Sequence, residues 1–184
     1  MTLVFFLEEP SAKEMLKGIM SRLLPVDTDI KYVLFDGKQD LERQIEKKLK
    51  KWLLPDSKFI ILRDQDSGDC LKIKKNLCDK CIKADKKDTL IRIACRELES
   101  WYLGDLSAVE KGLGLKGISS LQSNHKYRTP DNLINAKQEL VLLTKKAYQE
   151  ISGSRAISVH LKLDGSNSSY SFNVFIDGIK KIIG

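Results

Sequence analysis

The chain of 184 residues has no apolar run approaching the roughly 18–20 residues needed to span a bilayer. Membrane insertion is therefore not expected. The amino-terminal run Thr2-Leu3-Val4-Phe5-Phe6-Leu7 is apolar but has no basic residues ahead of it and meets Glu8-Glu9 at once. It reads as a buried strand rather than an export signal, which places the protein in the cytoplasm. In that compartment the four cysteines, Cys70, Cys78, Cys81 and Cys95, should be reduced. Cys78 and Cys81 have the spacing of half a zinc knuckle, but no second close pair completes it; they read as small apolar residues on helical faces. A phosphate-cradling glycine loop is also missing, because Gly112-Leu113-Gly114 lacks both a lysine and a preceding strand, so the chain should not hydrolyse ATP by itself. Only two histidines occur: His125 in a polar stretch, read as solvent-facing, and His160 in an apolar one, read as packed. No serine or cysteine triad is suggested, and no internal repeat or low-complexity segment is visible.

What is present begins at Phe59-Ile60-Ile61-Leu62, four apolar residues in a row that read as a buried strand. Asp64, Asp66 and Asp69 follow within a few positions, and Gly68 allows a tight turn. In an extended chain Asp64 and Asp66 would point the same way and repel each other unless a cation lies between them. A hard, oxygen-seeking ion, Mg²⁺ or Mn²⁺, suits such a pair. Glu8, at the end of the first strand, would come within reach if the two strands lie close. Three carboxylates at the carboxyl ends of strands then make a site for phosphodiester hydrolysis, although strand-end acids can also simply cap helices.

Apolar periodicity gives strands over Leu3–Leu7, Lys31–Phe35, Lys58–Leu62 and Thr89–Ala94. Helices lie between them: one capped by Ser11, one marked by Leu41, Ile45 and Leu49, and one over 69–84 with Leu71, Leu77, Cys78 and Cys81 inward. Alternation of this kind predicts an α/β, Rossmannoid fold, a mainly parallel sheet flanked by helices. Beyond residue 94 the pattern turns helical: a helix over 95–103, a polar loop over 119–130, a long helix from Pro130 to about Tyr148 and, after a break at Ser152-Gly153-Ser154, a terminal helix capped by Ser168 or Ser169. Residues 1–104 are read as the α/β core and 105–184 as a helical extension packed on it.

The chain carries a formal charge of +7, with lysines concentrated at 47–51, 72–75 and 80–87. Basic surface around an acidic pocket would suit a polyanion, while any single cluster also reads as a solvated helix face. On a helix, Glu97 and Glu99 would point about 200° apart, so only one can face the pocket. Arg92 or Arg96 could bind phosphate there or form a buried ion pair with a glutamate beneath Trp101.

These residues carry a resemblance. A glutamate ending the first strand, with Asp64-Gln65-Asp66-Ser67-Gly68-Asp69 ending a later one, resembles the Toprim fold of topoisomerases, primases and OLD-family nucleases. Glu9 stands where those families usually have glycine, and Ala12 and Lys13 stand near a further expected acid. Leu7–Lys13, Asp64–Cys70, Arg92–Asp105 and Ser169–Phe172 are together similar to a small stand-alone Toprim-like family encoded beside AAA-type ATPases, in an arrangement similar to bacterial anti-phage systems. The resemblance implies a metal-dependent nuclease acting on DNA or on RNA such as tRNA, held or triggered by an AAA-type ATPase partner; the helical C-terminal half could serve as a homodimer surface, an ATPase docking surface or a lid. Glu8, Asp64 and Asp66 would hold Mg²⁺ or Mn²⁺ and carry the chemistry, with Asp69 and Glu99 assisting; the choice of Glu99 over Glu97 rests on the resemblance. Lys13, Arg63, Lys72 and Arg96 would bind phosphates. The alternative is a non-catalytic module that binds an ATPase or nucleic acid.

Overall fold

A computed structural model describes residues 1–184. Its centre is a sheet of four parallel strands, β1 (Thr2–Leu7), β2 (Asp29–Leu34), β3 (Ser57–Asp64) and β4 (Leu90–Ala94), in the order β2-β1-β3-β4. Helix α1 (Pro10–Leu23) joins β1 to β2, α2 (Gly37–Lys50) joins β2 to β3, and α3 (Cys70–Lys83) joins β3 to β4. The predicted Rossmann-like α/β architecture is thus observed.

β1 explains why the sheet is covered on both sides. All six of its residues are buried, and they alternate between two cores as a two-residue period requires. Leu3, Phe5 and Leu7 belong to a 29-residue cluster that includes the apolar faces of α1 and the carboxyl-terminal helices. Val4 and Phe6 belong to a 13-residue cluster with Leu41, Ile45 and Leu49 of α2 and Leu77 and Cys81 of α3. From β1 the chain moves outward to β2, then crosses back to β3 on the other side. A sheet built this way opens a crevice beyond the carboxyl ends of β1 and β3, where the winding reverses.

The second half is helical: α4 (Glu99–Leu103), α5 (Leu106–Gly112), α6 (His125–Arg128), α7 (Ala136–Leu143), α8 (Glu150–Ser158) and α9 (Tyr170–Ile183), with two short 3₁₀ turns at Ser119–Ser123 and Pro130–Asn132. It packs on the α1 side of the sheet. Trp101 lies between Phe172, edge-on at 5.3 Å, and Phe175, stacked at 5.1 Å, which fixes α9 against α4. Ser169 caps α9 by accepting the Phe172 N–H, one of the two caps the sequence offered.

Several local expectations are corrected. Ser11 does not cap α1: Pro10 occupies the first turn and Glu9 the cap position, and the Ser11 hydroxyl donates to the Glu9 carboxylate. Leu71 is 79% exposed rather than inward, because the buried stripe of α3 runs through Leu77 and Cys81. Residues 95–98 bend, with Arg96 at φ +63°, before the helix starts at Glu99. The long helix expected from Pro130 is shortened to α7 at both ends: Pro130–Asn132 forms a 3₁₀ turn followed by extended Leu133, and Lys145 and Lys146 turn left-handed beyond Thr144. Gly153 lies inside α8 and is no separator: a Cβ there would stand 2.5 Å from Tyr148 Cδ2, so the glycine makes room for the ring.

Candidate active site

β1 and β3 lie side by side with Leu7 opposite Leu62, so Glu8 and Asp64 emerge together at the reversal of the winding. The two strands are neighbours in the sheet, close enough for that approach. Glu8 is largely buried; its Oε2 has no hydrogen-bond partner, and the nearest cation, Arg63 Nε, stands 3.9 Å away. Burial, then the charges of Glu9 and Asp66, push its pKa from 4.5 up to about 7, against the opposing pull of Arg63 and Lys38. Asp64 is also raised, by burial first and then by Glu8, Glu9 and Glu99; one bond, from the Leu98 N–H to Oδ2 at 3.1 Å, works the other way.

Glu99 completes this group from the helical half. It is 3% exposed, and its Oε1 accepts a hydrogen bond from the Tyr148 hydroxyl at 2.8 Å. Burial raises it to about 7 even against that bond. Glu97 turns elsewhere and accepts the Lys137 backbone N–H at 2.8 Å, so of the two only Glu99 is among the charges acting on Asp64.

Three other expected site residues are placed differently. Asp66 does not alternate with Asp64, because it follows the strand end at φ +54° and its Oδ2 pairs with Lys38 at 2.7 Å. Left-handed backbone abolishes the i, i+2 geometry of a strand. Asp69 is the cap of α3, accepting the N–H groups of Leu71 at 2.9 Å and Lys72 at 3.0 Å. Arg63 is 5% exposed, paired with Glu42, and donates to its neighbour's carbonyl at 3.1 Å, so it serves as a buried charge partner and not as a phosphate ligand. Lys13 lies over the ring of Tyr32 with its ammonium 6.0 Å from the centroid, and Lys72 is exposed on α3. Arg96 borders the site, with Nη1 3.4 Å from the Asp66 carbonyl.

The expected trio Glu8, Asp64 and Asp66 is consequently not assembled, and no three carboxylate, imidazole or thiolate groups converge to hold a metal as they stand. The chemistry of the donors nonetheless fits a hard divalent ion: two buried carboxylates of raised pKa, one with an oxygen that nothing in the chain satisfies. Cys81 is buried in the α3 core cluster, with Cys78 partly buried beside it.

Basic surface does not surround this pocket as a whole. In α2 the lysines concentrate in the last turn, at Lys47, Lys48 and Lys50, while α3 carries Lys72, Lys74 and Lys75 in its first two turns, toward the carboxyl edge of the sheet, and only Lys80 and Lys83 in its last turn. Helices between parallel strands run opposite to them, so the last turns lie at the amino edge of the sheet. That edge is about 25 Å from the carboxylates, given the eight residues of β3 at ~3.3 Å each. Cations at helix carboxyl termini are also favoured by the helix dipole.

Two participants were not anticipated. Glu9, adjacent in sequence and treated as a departure from a motif, raises both Glu8 and Asp64. Tyr148 lies 49 residues from Glu99, and no spacing pattern could link them.

No helix is long and apolar enough to cross a membrane. Residues 7–180 match the family described as a domain of unknown function, DUF4276. No curated protein and no solved structure matches the chain.

Proposed function

From a chain that belongs to the DUF4276 family, we propose a metal-dependent nuclease that hydrolyses nucleic-acid phosphodiesters in the cytoplasm, with Glu8 and Asp64 at its centre. The observation that carries this reading is the adjacent buried pair at the reversal of the winding, with an oxygen of Glu8 left unsatisfied. Glu8 and Asp64 would hold Mg²⁺ or Mn²⁺, joined by Asp66 once Lys38 is drawn off by a phosphate. Such an ion supplies Lewis acidity toward a phosphoryl oxygen and lowers the pKa of bound water. Glu99, fixed by the Tyr148 hydroxyl, holds a further proton-accepting carboxylate near Asp64. Lys38 and Arg96 on the rim are the cations placed to meet phosphate oxygens. The Toprim-like motifs support the same chemistry, and through that resemblance alone an AAA-type ATPase would control it in anti-phage defence.

A second reading has its own support. With Asp66 neutralised by Lys38 and no three ligands converged, the site would be inert and the chain a module that binds an ATPase or nucleic acid. Labelled DNA, tRNA and plasmid incubated with Mn²⁺ or EDTA, alone and with an AAA-type ATPase of the class the resemblance implies, separate the two. Cleavage that needs the metal and is lost in Asp64→Ala supports the nuclease. Absence of cleavage in every arm refutes it and leaves the binding module.

A further inference from the structure

A cleft of about 430 Å³ is lined by Gln65, Arg96, Thr129, Asp131, Asn132 and Tyr170. That volume falls in the usual range for ligand sites. It shares a wall with the carboxylate group, because the Arg96 N–H donates to the Gln65 side chain at 3.2 Å and the Asp66 N–H to the Arg96 carbonyl. Arg96 keeps left-handed backbone, φ +63°, a conformation that costs a non-glycine residue free energy and concentrates at functional sites. Tyr170 is 76% exposed, an aromatic face left in water. The one carboxylate in the cleft, Asp131, is already occupied by the Ser169 hydroxyl at 2.6 Å and the Ser171 N–H at 2.7 Å. A second hollow of about 160 Å³ shares Tyr170 and Cys95 with the first and carries the line on to Lys74 and Arg92.

The geometry points to a groove for an unpaired nucleic-acid strand. Phosphates would lie along Arg96 and Lys74, and one base would stack on Tyr170 with its edge toward Thr129 and Asn132. This rests on the nuclease reading and narrows its substrate to single-stranded or looped nucleic acid. Aromatic stacking is open to any base because every base has a π-face, and duplex bases are not free to adopt it. Arg92 contributes less than its charge suggests, since its guanidinium is turned to the carbonyls of Val174 and Ile91.

The test is fluorescence anisotropy in EDTA, so that binding is read without cleavage, with a labelled oligo-dT and a hairpin duplex of equal length. The single strand should bind more tightly. Tyr170→Ala should weaken it by about tenfold or more, while Tyr170→Phe, which keeps the ring, should bind as the parent does. Arg96→Gly, compatible with the positive φ, should lower the logarithmic salt slope by about 0.7. Equal affinity for duplex, an unchanged Tyr170→Ala, or a Tyr170→Phe as weak as the alanine variant overturns the groove. Asp64→Asn, assayed in parallel, separates the two claims. Strand binding with no metal-dependent cleavage by the parent, alone or with the ATPase, refutes hydrolysis and keeps the groove; cleavage of duplex without strand selectivity does the reverse.

Discussion

Glu8→Gln should stabilise the metal-free protein at alkaline pH, although it removes a residue of the candidate site. Glu8 has its pKa raised from 4.5 to about 7. Below about pH 4.5 the group is protonated whether the chain is folded or not, and contributes no pH dependence. Between 4.5 and 7 the unfolded chain releases its proton while the native state retains it, so stability falls as pH rises; above 7 the full cost is present. At about 1.4 kcal/mol per pKa unit that cost is about 3 kcal/mol. Glutamine keeps the shape and cannot ionise, and it relieves Asp64 of one repelling neighbour. In a chain of this length, about 3 kcal/mol corresponds to roughly 6–12 °C in Tm. Thermal melts in EDTA from pH 4.5 to 8.5 should therefore show a shallower decline for Glu8→Gln than for the parent, with the curves separating between about pH 4.5 and 7 and the full gap present above neutrality. Adding Mn²⁺ at pH 8 should raise the parent's Tm and leave that of the variant nearly unmoved, because binding to the native state alone stabilises it. Parallel pH profiles, or a variant destabilised equally at both ends of the range, would refute the premise that Glu8 is buried and crowded by like charge.

Tyr148→Phe removes the hydroxyl that satisfies Glu99 and should cost about 1–3 kcal/mol in urea unfolding, more at pH 8 than at pH 5, since the bond favours the ionised carboxylate. Gly153→Ala should destabilise by about 1–3 kcal/mol in the same assay, because the new methyl meets Tyr148 Cδ2 at 2.5 Å and Cε2 at 2.7 Å. Helix propensity alone gives the opposite sign, so a stabilised Gly153→Ala would refute the packing argument.

The strands and their order of alternation were legible because β1 and β3 are buried on both faces and so appear as unbroken apolar runs. Glu8 and Asp64 are legible for the same reason, as the first carboxylates after those runs. The placement of Asp66 is not legible, because strand periodicity stops at Asp64 and the chain turns left-handed at Asp66. Gly153 was taken for punctuation, because sequence cannot distinguish a glycine that breaks a helix from one that admits a ring. The basic clusters were visible as composition but not as location, which depends on the direction in which α2 and α3 run. The Glu99–Tyr148 bond depends on how α4 packs against α7 and the turn that leads from it to α8, and has no local trace in the sequence.

The residues around Trp101 have a consequence for how such a chain can change over time. Its indole lies between two rings of the last helix, donates to Ser171 Oγ at 2.8 Å, and belongs to the same 29-residue cluster as the first strand. The stretch after residue 104 is therefore not a cassette that could be lost, borrowed or exchanged between relatives, because cutting there would leave a half-built interior rather than a smaller protein. The beginning and the end of the sequence are bound to vary together.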